Sequence, residues 1–284
     1  MLYLFALVKA MVSNLQIAIL HGRLFKKLIF FGFLTTFSIH ATFAQLDSLK
    51  KLLPTLSKDT VKVKVLSELV FHYANINKDT ATNYATEAYS LSSKLKFPRG
   101  LALTLYADGY LNWVNGDIVS CISKSEQCIA LGDSLGDTFI RSKALRNIGL
   151  AYSDVNEPNT AFEYYRRSIK GFEEIKEWGW SSWVYSTVGF ENLEILDLKN
   201  AEISLLQSQK QTSIAYPHYY TLQCNIALLR TLQNRLPEAD SIIAKVLPAI
   251  VKSSNNRVKG YFYFINAKIL LAKGVYNTPH FSDR

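Results

Sequence analysis

Cysteine, histidine, glycine and proline are all scarce in this 284-residue chain, and each scarcity excludes something. Three cysteines are an odd number, so they cannot all pair with one another. Cys121 and Cys128 lie two turns apart on one expected helix, about 10.5 Å of rise, which a disulfide cannot bridge. Nothing supports pairing of Cys224 with either, and no metal-ligand spacing occurs. The thiols are expected to be buried and to serve as small apolar residues. Beyond residue 44 the histidines are His72, His218 and His280. No two of them have ligand spacing or stand beside a nucleophile. Thirteen glycines and seven prolines suit a helical chain, and none of the glycines forms a phosphate-binding loop. The carboxylate pairs Glu173–Glu174 and Glu191/Glu194 read as solvated helix faces. No run of five like charges occurs. Of 32 basic residues four (Lys9, Arg23, Lys26 and Lys27) fall in positions 1–44, which leaves 28 against 23 acidic ones. That balance is too mild for a nucleic-acid binder by charge alone. After Ala44 no apolar span reaches the about 20 residues of a membrane helix. The chain is therefore expected to hold no metal and no cofactor, and not to be an enzyme.

What the chain does have is a rhythm. Gly109, Gly149 and Gly189 stand 40 residues apart, and Ala227 (two short) and Ala267 continue the series. A second series runs Ala81, Cys121, Ala161, Ala201 and Ala239, the last again two short. Seven residues after its members come Ala88, Cys128, Ser168 and Ser208. Small residues at fixed spacing mark places where helices cross closely. A unit of this size cannot bury its own apolar face, so copies must stack.

The clearest unit is Ala144 to Ile175, ALRNIGLAYSDVNEPNTAFEYYRRSIKGFEEI. Leu145, Ile148, Gly149 and Tyr152, then Ala161, Tyr165 and Ser168, match the two helices of a tetratricopeptide repeat (TPR). Gly149 admits the second helix, Tyr152 fills the space beside it, and Pro158 opens the second helix. The resemblance runs from about Val61 to Lys273, with a period longer than the family's usual 34 residues. Longer helices are the expected reason. Asn112 and Asn192 replace the family's tyrosine, and Leu69 stands where later units carry glycine.

The expected fold is all-α: a TPR-like α-solenoid of about five helix pairs plus one terminal helix, after an N-terminal signal peptide. Residues 45–60 form a lead helix interrupted near Pro54, and residues 61–274 form the repeats. Turns fall at Asn77–Asp79 with Asp79 as cap, Asn115–Asp117, Asn156–Asn159, Asp197–Asn200 and Asn234–Pro237. Pro217 starts the fifth pair, and a sixth first-helix runs from about Arg257 to Lys273. Residues 275–284 form a tail too short for the partner helix, which reads as a truncated unit; a lone capping helix is the alternative.

Residues 1–44 stand apart. A basic segment ending at Lys27, an apolar run from Leu28 to Ile39, and Thr42-Phe43-Ala44 have the layout of a secretory signal peptide cleaved after Ala44. An uncleaved membrane anchor is the rival reading. The long lead of residues 1–20 points to a start at Met11 or later, or to a second membrane segment.

In the TPR family the stacked first helices line a groove that takes peptides or protein segments. By the ladder, the groove residues here are Tyr106, Tyr110 and Trp113, then Lys143, Arg146, Asn147 and Leu150, then Trp183, Thr187 and Phe190. Aromatic rings around a central basic spot suit a peptide with apolar side chains and a carboxylate. Packing between repeats is the competing role for the rings. The family's basic clamp is not reproduced, since only Lys143 and Arg146 are basic here. The expectation is a non-catalytic protein- or peptide-binding scaffold, exported, periplasmic or membrane-associated. Its contact with membrane would come only through the N-terminal segment or a missing C-terminal region. The export signal and forty-residue units also resemble the sensory regions of bacterial signalling proteins, notably in the Bacteroidetes. That resemblance implies an alternative: the truncated sensor portion of a histidine kinase, nucleotide cyclase or helix-turn-helix regulator.

Overall fold

Helix and turn alternate with a fixed beat along most of the chain. The computed structural model describes residues 49–74, 76–213, 218–252 and 256–274, and these contain no strand. The proposed signal segment, the tail and Pro217 lie outside the described residues. After a 3-10 turn at Leu53–Thr55 come α1 (Thr60–Tyr73), α2 (Lys78–Lys94), α3 (Pro98–Val114), α4 (Ile118–Leu135), α5 (Thr138–Asp154) and α6 (Pro158–Glu174). Then follow α7 (Trp178–Glu194), α8 (Leu198–Gln211), α9 (Tyr219–Leu232), α10 (Leu236–Lys252) and α11 (Asn256–Ala272). Odd-numbered helices open the units and even-numbered helices close them. No described helix is long and apolar enough to cross a membrane.

The beat is set by the turns. Lys96, Gly116, Gly136, Asn156, Lys176 and Leu196, twenty residues apart, all have positive φ. Each follows a helix and closes it with the same bond, such as Asp117 N–H to Asn112 O at 2.9 Å and Glu157 N–H to Tyr152 O at 2.9 Å. This is the left-handed stop that satisfies the last carbonyls of a helix. The next residue caps the next helix. Asp117, Asp137 and Asp197 accept from the backbone N–H of Ser120, Ile140 and Asn200, and Pro98 and Pro158 stand first in α3 and α6. In α2 the cap is Asn77, which accepts from Thr80 N–H, and not Asp79. Asp79 lies inside the first turn, where its charge still favours the helix N-terminus. Helices of 17 residues joined by three-residue turns give twenty per helix and forty per unit. The extra length over the TPR period is therefore in the helices.

The small-residue ladders mark real crossings. A Cβ on Gly109, Gly149 or Gly189 would meet Ser125 at 2.9 Å, Tyr165 at 2.5 Å or Leu205 at 2.5 Å, always sixteen residues on. The ring beside Gly149 is thus Tyr165; Tyr152 stacks instead on Tyr164, with centroids 5.6 Å apart. At the same spacing from Leu69 stands the small Ala85, and both are buried. The later ladder makes rungs between helices. Cys128 Sγ donates to Ala102 O at 3.2 Å, Ser168 Oγ to Ser142 O at 2.8 Å and Ser208 Oγ to Ser182 O at 2.8 Å. Cys121, one rung earlier, reaches Asn147 O at 3.8 Å. All three cysteines are free and buried, and burial pushes each thiol up to about 12. Asn112 and Asn192 replace a ring by turning their amides onto Asp108 O and Val188 O.

The beat falters after α8. There α8 and α9 have 14 residues each and the connection 212–218 has seven residues in place of three, so the ladder slips by two. His218 ties this region together: its Nε2 lies 2.8 Å from Ser182 Oγ and 3.0 Å from Thr212 Oγ1. First helices of neighbouring units pack closely at both ends of the stack, α1 on α3 and α9 on α11. Their backbones part between α5 and α7.

Candidate ligand-binding groove

The ten groove residues expected from the ladder divide into two groups. Tyr110, Trp113, Asn147 and Leu150 are buried and hold repeats together. Phe71 stacks on Tyr110 at 4.2 Å, Tyr110 packs on Trp113 at 5.5 Å, and Asn147 Nδ2 donates to Tyr106 O at 3.1 Å. Lys143, Trp183, Thr187 and Phe190 are half-buried and reach the surface of the first-helix wall. Tyr106 and Arg146, at 5% exposure each, are buried as well.

The structure gathers one constellation at the parting of α5 and α7. The Lys143 ammonium sits 4.1 Å from the Tyr106 ring, 4.8 Å from Trp180 and 5.3 Å from Phe139. One turn on, the Arg146 guanidinium lies 4.5 Å from the Trp183 ring. Rings thus take the place of carboxylates as cation partners. Neither cation makes an ion pair with any described residue, and Arg146 Nε and Nη1 are buried without a hydrogen-bond partner. The hydroxyls of Tyr106 and Tyr165 are also buried without partners. Burial raises both phenols while the nearby Arg146 charge pulls them down. Burial pushes the Lys143 ammonium down to about 8, against the upward pull of Glu68 on α1. Glu68 itself is turned to His72, 3.6 Å away.

Phe139 and Trp180 are absent from the ladder-derived set. Each stands near the start of its helix, three or more residues ahead of the positions compared between units. Trp180 is wedged between Phe139 and Phe172, with centroids 5.8 and 5.6 Å away. A signal existed in the sequence: Phe139, Lys143, Arg146 and Leu150 share one helical stripe.

Farther along, Phe190 and Phe264 flank Lys268, whose Nζ also meets Glu194 at 2.5 Å. Glu194 is therefore a counter-ion and not a solvated carboxylate. Glu173 likewise accepts from Gln211 at 2.8 Å. Among the described residues no three His, Cys, Asp or Glu side chains come together as metal ligands. Sequence spacing did not foresee the contacts of His218 with the hydroxyls of Ser182 and Thr212. Ser182 is fully buried and bonded to Ser208, so these contacts serve as a structural link.

The fold is that of TPR-like helical repeats. Aspartyl phosphate phosphatase F from Bacillus subtilis superposes with a TM-score of 0.60 at 15% identity, over 92% of this chain and 73% of that one. BtubC from P. vanneervenii gives 0.54 at 14% identity, over 84% and 92%. The TPR-like repeats of a Podosopora anserina kinesin light chain give 0.51 at 14% identity, over 66% and 94%. At these identities the likeness is one of fold. No protein-family model and no curated protein sequence matches the chain.

Proposed function

We propose that this protein is a non-catalytic scaffold, exported from the cytoplasm, that binds a protein or peptide along the face of α3, α5 and α7. The observation that carries this reading is the parting of α5 and α7, where half-buried rings and the half-buried Lys143 line the first-helix wall beside the buried Arg146, neither cation with an ion pair to a described residue. A groove already satisfied by its own side chains would offer a ligand little. Here rings supply apolar area, and the cations lack the partners that buried charges ordinarily keep. Export rests on the basic, apolar and small-residue order of positions 1–44.

A photo-crosslinking residue at Thr187, on the groove face, should capture a polypeptide in the native cells. The same residue at the exposed Glu126 on α4 should not. Equal capture at both positions, or none at Thr187, removes the groove from consideration.

The second reading is the sensor portion of a bacterial membrane signalling protein, as in the Bacteroidetes. What supports it is the resemblance of the forty-residue units and of the order of positions 1–44 to such sensory regions. Immunoblots of fractionated cells separate the two. A soluble exported band near the mass of the cleaved chain supports the free scaffold, and a much larger membrane band supports the sensor.

A further inference from the structure

We infer that Lys143 is a carbamylation site: its amine takes up carbon dioxide reversibly, and the carbamate so formed is held by Arg146 one helical turn away. The inference concerns a covalent change within the chain and does not require that the groove bind a peptide.

Two independent observations point to it. The first is the setting of the amine. Lys143 is half-buried, and its Nζ sits 4.1 Å from the Tyr106 ring, 4.8 Å from Trp180 and 5.3 Å from Phe139. It forms no ion pair with a described residue. Lys268 also lies beside two rings, yet it keeps Glu194 at 2.5 Å; Lys62 keeps Glu87 at 2.9 Å and Lys124 keeps Asp108 at 3.3 Å. A carboxylate holds an ammonium in its charged form, whereas rings alone favour the neutral, nucleophilic amine. The charged and titratable groups facing Lys143 are Glu68 on α1, Cys128 on α4, Asp137 at the cap of α5, and Arg146. Of the two acids, Asp137 is held by Arg99 at 2.9 Å and Glu68 is turned to His72 at 3.6 Å.

The second observation is Arg146. It is buried, and its Nε and Nη1 have no hydrogen-bond partner. Its guanidinium lies 4.5 Å from the Trp183 ring, whose centroid is 5.3 Å from that of Trp180. The two cations therefore stand against adjoining rings. Two unused N–H donors on a buried cation suit an acceptor with two oxygens.

Carbon dioxide is small, uncharged and apolar, so it passes among the rings without the desolvation cost of an ion. The Nζ lone pair attacks its carbon, the N–C bond forms, and one C–O π pair moves onto oxygen. Counted from the ammonium, two protons leave to solvent: one ammonium and one carbon dioxide give one carbamate and two protons. Nothing is oxidised or reduced. The new carboxylate extends about 2 Å beyond Nζ. It turns two like charges that repel into an ion pair, and it supplies the acceptors that Arg146 lacks. Without carbon dioxide the two cations stand unpaired as described above.

The test incubates the full chain with carbon-13 bicarbonate, traps carbamates as esters with a trialkyloxonium salt, and locates the label by mass spectrometry of proteolytic fragments. Lys143 should carry at least about 10-fold more label than the exposed Lys199, the preference that one charge-assisted hydrogen bond supplies. Arg146→Met should lower the label at Lys143 about 10-fold, and Arg146→Lys should lower it less. Label at Lys143 no greater than at Lys199 in the parent chain overturns the inference, and that comparison needs no variant. So does label at Lys143 that survives Arg146→Met undiminished, because reactivity of the amine alone would then account for it.

Discussion

The middle and the end of the stack handle buried cations in opposite ways. In the last units Arg230 meets Glu202, Glu238 and Gln233, and Lys268 meets Glu194. At the parting of α5 and α7, Lys143 and Arg146 meet rings and form no ion pair among the described residues. His218, between the two regions, is kept neutral: burial pushes its imidazole down to about 4. Pairing, neutralising and leaving a charge under rings are three answers to one desolvation cost. The first two close a site. The third leaves the charge under rings without a counter-ion, at some expense in stability.

The largest effect that tests this contrast is Arg230→Met. It strands Glu202 and Gln233, and should destabilise the chain by about 3 kcal/mol in chemical denaturation. Adding Glu202→Leu should recover most of the loss. A neutral result would dissolve the contrast from its paired side. Next comes the titration of His218. Its folded value lies below the ordinary 6.5, so the unfolded chain binds more protons between about pH 4 and 6.5. The stability from keeping it neutral is complete above that window and is lost as pH falls through it, by about 2–3 kcal/mol. His218→Gln should flatten denaturation midpoints over that range. Arg146→Met should act with the opposite sign to Arg230→Met, adding about 1–2 kcal/mol; a loss would place both arginines in one class. Lys143→Met sharpens the contrast by pH. Lys143 is lowered to about 8 from 10.5, so its charge costs stability below that window, and the cost fades as pH rises through it. The advantage of the variant over the parent should shrink between pH 8 and pH 10.5. The smallest effect calibrates the scale: Leu196→Gly relieves a left-handed leucine (φ 60°) and should add about 0.5 kcal/mol.

Most of the fold could be read from the small residues, because a close helix crossing tolerates few side chains. Gly109, Gly149 and Gly189 face residues sixteen positions on, and that contact is short-range enough to leave a repeating imprint. The same imprint explains why Cys128 alternates with Ser168 and Ser208: thiol and hydroxyl both donate to the facing carbonyl. The groove was legible only in part. A ladder tells which face a residue occupies but not how large its neighbours are. Tyr110 and Leu150, 1% exposed each, share the face of Lys143 yet are covered by Phe71 and by adjoining helices. The cage needs Tyr106, Phe139 and Trp180 from three helices, and no spacing within one unit encodes such a meeting. Asn77 took the cap from Asp79 because the helix began earlier than the apolar pattern did.

The buried cysteines give the stack an internal clock. Cys121 and Cys128 lie in the second unit and Cys224 in the fifth, each under 2% exposed and too weakly acidic to react while folded. A thiol reagent can reach them only when the helices around them separate. Rates of labelling at the three cysteines would therefore report how often the second and the fifth unit breathe. They would show whether the regular units and the slipped ones open as one body or one after another.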